Sequence, residues 1–166
     1  MAIKIKRTGH LVLKVKELER SKRFFTEVLG LPVVGEAPKV GMLFFSPDVQ
    51  ANHHMLAIRQ APEGARTPEA EDIGMEHVAY ELESFADLQE AYRIFKANDV
   101  KLRQVVFHGI TKSIYFYDPD GNMLEVYCNV PPEEYRKTVK NPYGIYGDIS
   151  AELDGTTPQK PGTVAP

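Results

Sequence analysis

A chain of 166 residues that is 43% apolar and 26% charged has enough apolar mass for one globular domain with a real core. Its formal charge of −3 gives no reason to expect nucleic acid or an anionic membrane surface as a partner. No apolar run approaches a membrane span, the opening MAIKIKRTGH is too short in apolar residues for a signal peptide, and a single cysteine, Cys128, excludes an internal disulfide framework and suits a reducing cytoplasm.

In chain order, the first predicted element is a strand with alternating Leu11, Leu13 and Val15, entered through Gly9 and His10. An amphipathic helix follows, with Phe24, Phe25, Val28 and Leu29 at helical spacing, and stops at Gly30. Two more strands are predicted in VGMLFFSP and HHMLAIRQA, and then Ala61 to Gly74 reads as a boundary loop rich in Pro, Gly and acids. The pattern then begins again. His77 opens a strand with Val78, Tyr80 and Leu82, a helix carries Leu88, Ala91, Tyr92 and Phe95, and Asn98 ends it. The stretch GITKSIYFYDPDGNMLEVY gives two strands about the turn Asp118-Pro119-Asp120-Gly121-Asn122. From Pro131 the apolar periodicity is lost. Residues 131 to about 150 read as an arm lying on the domain and the last dozen as mobile. Tyr135, Tyr143 and Tyr146 suggest that the arm packs on something, over a site or on a neighbouring subunit, so a homo-oligomer stays open.

Each half therefore reads strand–helix–strand–strand–strand, over about residues 8–60 and 75–129. A unit of roughly 55 residues buries a sheet and a helix poorly by itself. Two such modules pair into one domain, residues 1–130, followed by the arm and tail, residues 131–166. The class is α+β.

Within the last strand one residue stands out. Glu125 is a carboxylate flanked by Leu124, Val126 and Tyr127. Its simplest explanation is the solvent-facing position of an alternating strand. The repeat supplies another. His10 and His77 occupy equivalent places before the first strand of each module, and aligning NHHMLAI with GNMLEVY sets Ala57 opposite Glu125. Two histidines and one carboxylate form the facial set that leaves positions open on an octahedral metal, most typically ferrous iron; zinc is held by similar ligands in tetrahedral sites.

The opening GHLVLKVKELERSKRFFTEVLGLPVV and the closing SIYFYDPDGNMLEVY resemble the vicinal oxygen chelate superfamily over roughly Thr8 to Asn129. That group includes glyoxalase I, fosfomycin-resistance enzymes, methylmalonyl-CoA epimerase, bleomycin-binding proteins and type I extradiol dioxygenases. The resemblance implies two paired βαβββ modules forming a partly closed barrel around a metal site. It is greatest to a one-domain extradiol dioxygenase. It implies His10, His77 and Glu125 as ligands to Fe(II), with Mn(II) as the other ion those donors accept, and an aromatic diol and O2 as substrates. It also implies His54 as acid–base catalyst. Tyr115, ten positions before Glu125, is implied as hydrogen-bond partner of a substrate oxygen, and His108 as a further group near the substrate. Strict alternation sets His53 with Ala57 on one face and His54 on the other, so the parity of this stretch leaves open which histidine faces a site.

Three other readings fit the same scaffold. Fosfomycin-type epoxide opening uses the same ligand types but needs a cationic phosphonate cradle, which Arg59, Arg103 and Lys112 do not convincingly make. Glyoxalase- and epimerase-type enzymes bring four protein ligands, and Ala57 removes one. A non-catalytic binding protein has no use for the metal set. The identity of the catechol is not legible in the sequence, because pocket size depends on loops.

Overall fold

The computed structural model describes residues 2–69, 71–138, 141 and 144–156. The chain divides into two compact units, Met1–Asp72 and Ile73–Pro166. In the first, β1 (Leu11–Val15) leads into α1 (Leu18–Arg23), whose N-terminus is capped by the Glu17 carboxylate accepting from the Arg20 amide. The helix does not end there. It widens into a π-helical turn over Phe24–Val28, closed by the Leu29 amide donating to the Phe24 carbonyl. Phe24 and Phe25 are both buried, edge to face, and Phe25 packs on Phe45 of the sheet. Gly30, with φ of 68°, turns the chain back. Then come β2 (Val33–Ala37), β3 (Met42–Phe45) and β4 (Leu56–Gln60), in the sheet order β1-β4-β3-β2.

The second unit repeats the plan. β5 (Val78–Glu81) is followed by α2 (Phe85–Ala97), which Ser84 caps by accepting from the Asp87 amide. Asn98 ends the helix as its C-cap. The strands β6 (Leu102–Phe107), β7 (Thr111–Tyr117) and β8 (Met123–Asn129) complete a sheet of order β5-β8-β7-β6. Leu88, Tyr92 and Phe95 turn the apolar stripe of α2 towards β7 and β8, where Ile114, Phe116, Leu124 and Val126 are buried. Neither sheet closes on itself: hydrogen bonding stops at β1 and β2 in one and at β5 and β6 in the other.

The two registers superimpose. In the first unit β1 and β4 run parallel with Val12 beside Ala57, and Phe44 of β3 stands across from the same alanine. In the second, β5 and β8 run parallel with Ala79 beside Glu125, and Tyr115 of β7 stands across from that glutamate. Glu125 and Tyr115 thus occupy the sheet positions that Ala57 and Phe44 occupy in the other repeat.

The β7–β8 turn fixes that pairing. Asp118 Oδ1 accepts from the amides of Asp120 and Asn122, at 2.9 and 2.8 Å, and its Oδ2 accepts from the Asn122 side chain at 2.7 Å. Gly121, with φ of 87°, supplies the left-handed step. Burial holds the Asp118 carboxyl above its usual range, yet its hydrogen bonds keep the turn closed. Asp118→Ala is expected to lower stability by about 1–3 kcal/mol, measured by urea unfolding, because it strips partners from turn amides. A variant as stable as the parent would show that Gly121 alone suffices.

The arm is not featureless. It holds α3 (Pro132–Thr138), with Pro at its start and Glu133 and Glu134 in its first turn, and α4 (Ser150–Leu153). Ile149 and Leu153 are buried, and α4 docks against α2. Asp154 pairs with Lys96 at 2.8 Å and Glu152 with Lys112 at 2.5 Å, while the Glu152 carbonyl accepts from Gln89. Between the helices, Gly147 bridges to Phe107 of β6. Tyr143 and the tail from residue 157 lie outside the described residues.

Candidate active site

The second unit links four of the six residues singled out in the sequence. His77 stands one residue before β5, and its Nε2 lies 3.1 Å from Glu125 Oε2. Glu125 is only 6% exposed, so the solvent-facing explanation fails. The Tyr115 ring stands edge-on to His77 at 5.2 Å, and burial together with the Glu125 carboxylate pushes its phenol up to about 12. Tyr115 therefore remains a protonated donor at any working pH. Its hydroxyl is 3.1 Å from His108 Nε2, and His108 Nδ1 is 3.1 Å from the carbonyl of Gly144 in the arm. A carbonyl only accepts, so Nδ1 carries the hydrogen of the neutral ring and Nε2 presents its lone pair to Tyr115. The series runs His77, Glu125, Tyr115, His108, Gly144.

The first unit groups the other histidines. β4 begins at Leu56, so His53 and His54 precede the strand and its parity does not govern them. The His54 ring packs 4.4 Å from that of His10 and 5.2 Å from Phe44, while exposed His53 lies against His54, Nδ1 to Nδ1 at 2.6 Å. Burial first, then His10 and His53, hold His54 below the usual imidazole range. This loop is tied down by residues that sequence reasoning missed. Asn52 donates from its side chain to the Gly9 carbonyl at 2.9 Å, beside His10, and buried Ser46 donates to the Asn52 carbonyl at 2.6 Å. The Asn before the His-His doublet was the available signal.

Among the described residues no group of three or more His, Cys, Asp or Glu side chains gathers to hold a metal ion. Of the three expected ligands, the pair His77–Glu125 is brought together within one unit. That pair suits a divalent ion. Nε2 and Oε2 at 3.1 Å have the spacing of two donors each about 2.1 Å from one centre and close to a right angle apart, as in an octahedral shell. Imidazole with carboxylate is also the donor chemistry that iron and manganese take. Buried His77 Nδ1 has no hydrogen-bond partner among the described residues, so Glu125 and the Tyr115 edge set the ring's orientation. Cys128, the free cysteine, is buried in β8 with its thiol pushed up by burial, and serves as packing.

Residues 7–126 match the model of the Glyoxalase/Bleomycin resistance protein/Dioxygenase superfamily. The chain belongs to that superfamily. Within it, the chain is 35% identical over 133 residues to biphenyl-2,3-diol 1,2-dioxygenase 3 of Rhodococcus globerulus, an alignment covering 77% of this chain and 67% of the relative. It is 32% identical over 118 residues to biphenyl-2,3-diol 1,2-dioxygenase 2 of the same organism, covering 71% of this chain and 60% of the relative. Among solved structures, a fosfomycin resistance protein from Listeria monocytogenes superposes with a TM-score of 0.63 at 21% identity, over 83% of this chain and all of that one. That likeness concerns the fold. The superfamily's α+β plan of two four-stranded sheets with helices is the plan found here.

Proposed function

We propose that this protein is an extradiol ring-cleaving dioxygenase acting on a catechol-type aromatic diol with O2, in the cytoplasm, with His10, His77 and Glu125 holding Fe(II) in the domain formed by residues 1–130. Mn(II) is the alternative ion for the same donors. The observation that carries the reading is the cluster of His77, Glu125, Tyr115 and His108, in which Glu125 lies 3.1 Å from His77, Tyr115 stands across the strand pair from Glu125, and the Tyr115 hydroxyl donates to His108, supported by relatives named for aromatic-diol dioxygenation. His10 enters through its repeat equivalence to His77.

Held by these residues, a divalent ion would supply Lewis-acid binding of the diol and activation of O2. The chain's own groups handle protons. His54 takes one from the diol and later returns it, and its Nε2 is the ring nitrogen not turned to His53. The Tyr115 oxygen accepts a hydrogen bond from a diol hydroxyl while its own hydrogen points to His108 Nε2, which makes His108 the terminal acceptor of a short relay. Within the second unit, the Tyr115 ring standing edge-on to His77 suits a flat apolar substrate ring.

The rival readings fit less well. Lys112, one of three candidate phosphonate-binding cations, is committed to Glu152 and lies over the Phe85 ring at 4.3 Å. Ala57 stands where the fourth ligand of a glyoxalase-type site is needed.

Anaerobic loading with Fe(II), then addition of biphenyl-2,3-diol or catechol in air, is expected to give a yellow ring-opened product. Chelation is expected to abolish turnover, and re-addition of Fe(II) to restore it. One bound metal per chain with no absorbance change for any diol would sink the reaction and turn the search to epoxide substrates. Ligand bound unchanged after chelation would instead identify a sequestering protein.

A further inference from the structure

The arm does more than cover the second sheet. Its residues 141 and 144–147 gather around Tyr146, whose hydroxyl donates to the Asn141 carbonyl at 2.6 Å and accepts from the Asn141 amide at 2.9 Å. The Tyr146 amide donates to the Phe107 carbonyl at 2.8 Å, and the Phe107 amide to the Gly147 carbonyl at 2.9 Å. These bonds seat the loop on the last residue of β6, immediately before His108. Past Gly147 the chain is anchored again by α4, through buried Ile149 and Leu153 and the Glu152–Lys112 and Asp154–Lys96 pairs. Gly144 lies inside the Asn141–Tyr146 clamp and its own amide donates to the Asn141 carbonyl at 3.1 Å, which restricts how its carbonyl can turn.

We propose that Gly144 is a positioning residue: its carbonyl fixes the Nδ1–H tautomer of His108 and so keeps Nε2 as the lone pair that accepts from Tyr115. The functional half of this proposal rests on the dioxygenase reading above; the tautomer half stands on geometry alone. Without the Gly144 carbonyl the imidazole is free to carry its hydrogen on Nε2; the Tyr115 oxygen then accepts from it, the phenol hydrogen turns away, and the relay from Tyr115 has no terminus at His108. The carbonyl also accepts from Nδ1–H of the charged ring once His108 has received a proton. The absence of a side chain at residue 144 follows from the same packing. A Cβ there meets Tyr146 Cε2 at 3.0 Å and Cζ at 3.2 Å, and the clamp on the Tyr146 hydroxyl opposes any swing of that ring. A larger residue therefore displaces the loop and its carbonyl.

The test uses the full chain. Nitrogen-15 NMR of the ring nitrogens, with a His108→Gln sample to assign the signals, is expected to show His108 as the Nδ1–H tautomer in the parent. In Gly144→Val the signal is expected to shift to Nε2–H or to an average. Metal content per chain and KM for the diol are expected to stay near parental values, while kcat falls roughly tenfold to a hundredfold, the scale of a lost proton-transfer partner. Ile145→Ala, an exposed change in the same loop, is expected to leave tautomer and kcat alone. An Nε2–H tautomer in the parent overturns the proposal, even where Gly144→Val fails to fold. So does a folded Gly144→Val that keeps Nδ1–H with kcat reduced. Should the parent turn over no diol, the dioxygenase reading fails by itself and the tautomer measurement still decides the role of Gly144.

Discussion

Replacing Glu125 by glutamine is expected to lower kcat/KM for the diol by at least about a thousandfold, a loss of roughly 4 kcal/mol of transition-state stabilisation. Metal affinity should fall with it. The amide keeps the shape of the carboxylate, and hence the packing beside His77 and Tyr115, but it loses the charge on which the proposed ligand role rests. Stability is expected to hold or to rise slightly, since a carboxylate at 6% exposure costs more to desolvate than its neutral isostere. Activity and stability should therefore part company in this variant. Titration calorimetry with Mn(II), steady-state kinetics and thermal unfolding on one preparation measure all three. Retention of more than about a tenth of parental kcat/KM would remove Glu125 from the ligand set.

One position along β7 from Tyr115, the opposite split is expected. Phe116 is fully buried, and its ring packs 4.4 Å from that of Phe95 on α2. Phe116→Ala is expected to cost about 3–5 kcal/mol, because it removes a large apolar surface and leaves a cavity that two rigid elements cannot close. Domains of this size are stable by about 5–15 kcal/mol, so the variant should unfold at much lower urea or accumulate poorly. Whatever folded fraction remains should bind metal with parental affinity. A loss below about 1 kcal/mol would mean that α2 is not held through this ring. The two residues are neighbours in sequence and opposite in consequence because successive side chains of a strand leave on opposite faces.

The repeat was legible because it is written in apolar periodicity. Leu11, Leu13 and Val15, then Phe24 and Phe25, recur as Val78, Tyr80 and Leu82, then Leu88, Tyr92 and Phe95; the helical residues, Leu13 and Val15 are buried, while Leu11, Val78, Tyr80 and Leu82 are half-buried. The shared Met-Leu before Ala57 and before Glu125 gave the alignment that the two strand registers reproduce. Helix winding was not legible. A π turn at Phe24–Val28 and an α-helix differ in which carbonyl the amide reaches, and the side-chain pattern hardly records it. Strand parity misled at His53 and His54, since it presumes a strand that starts only at Leu56. The arm was read from lost periodicity, and its short helices and the Gly144 carbonyl went unseen. A backbone carbonyl acting on a distant imidazole leaves no residue-type signature; the Gly-Ile-Tyr-Gly run at 144–147 hinted only at a turn. His10, His54 and Asn52 illustrate a middle case, in which the residue types were visible but the loop that holds them was not.

Ala57 and Glu125 are sister positions of a repeated module at opposite extremes of polarity. Phe44 and Tyr115, which face them across their strands, differ in the same sense. At these two positions one repeat carries an acid and a phenol and the other their apolar counterparts, although both keep the same ladder of backbone bonds. An acid placed at residue 57 would enter a wholly buried position beside Leu56 and Ile58, where no water offsets its charge, and the packing around it would have to loosen first. The same ladder of backbone bonds thus admits a carboxylate in one sheet and resists it in the other.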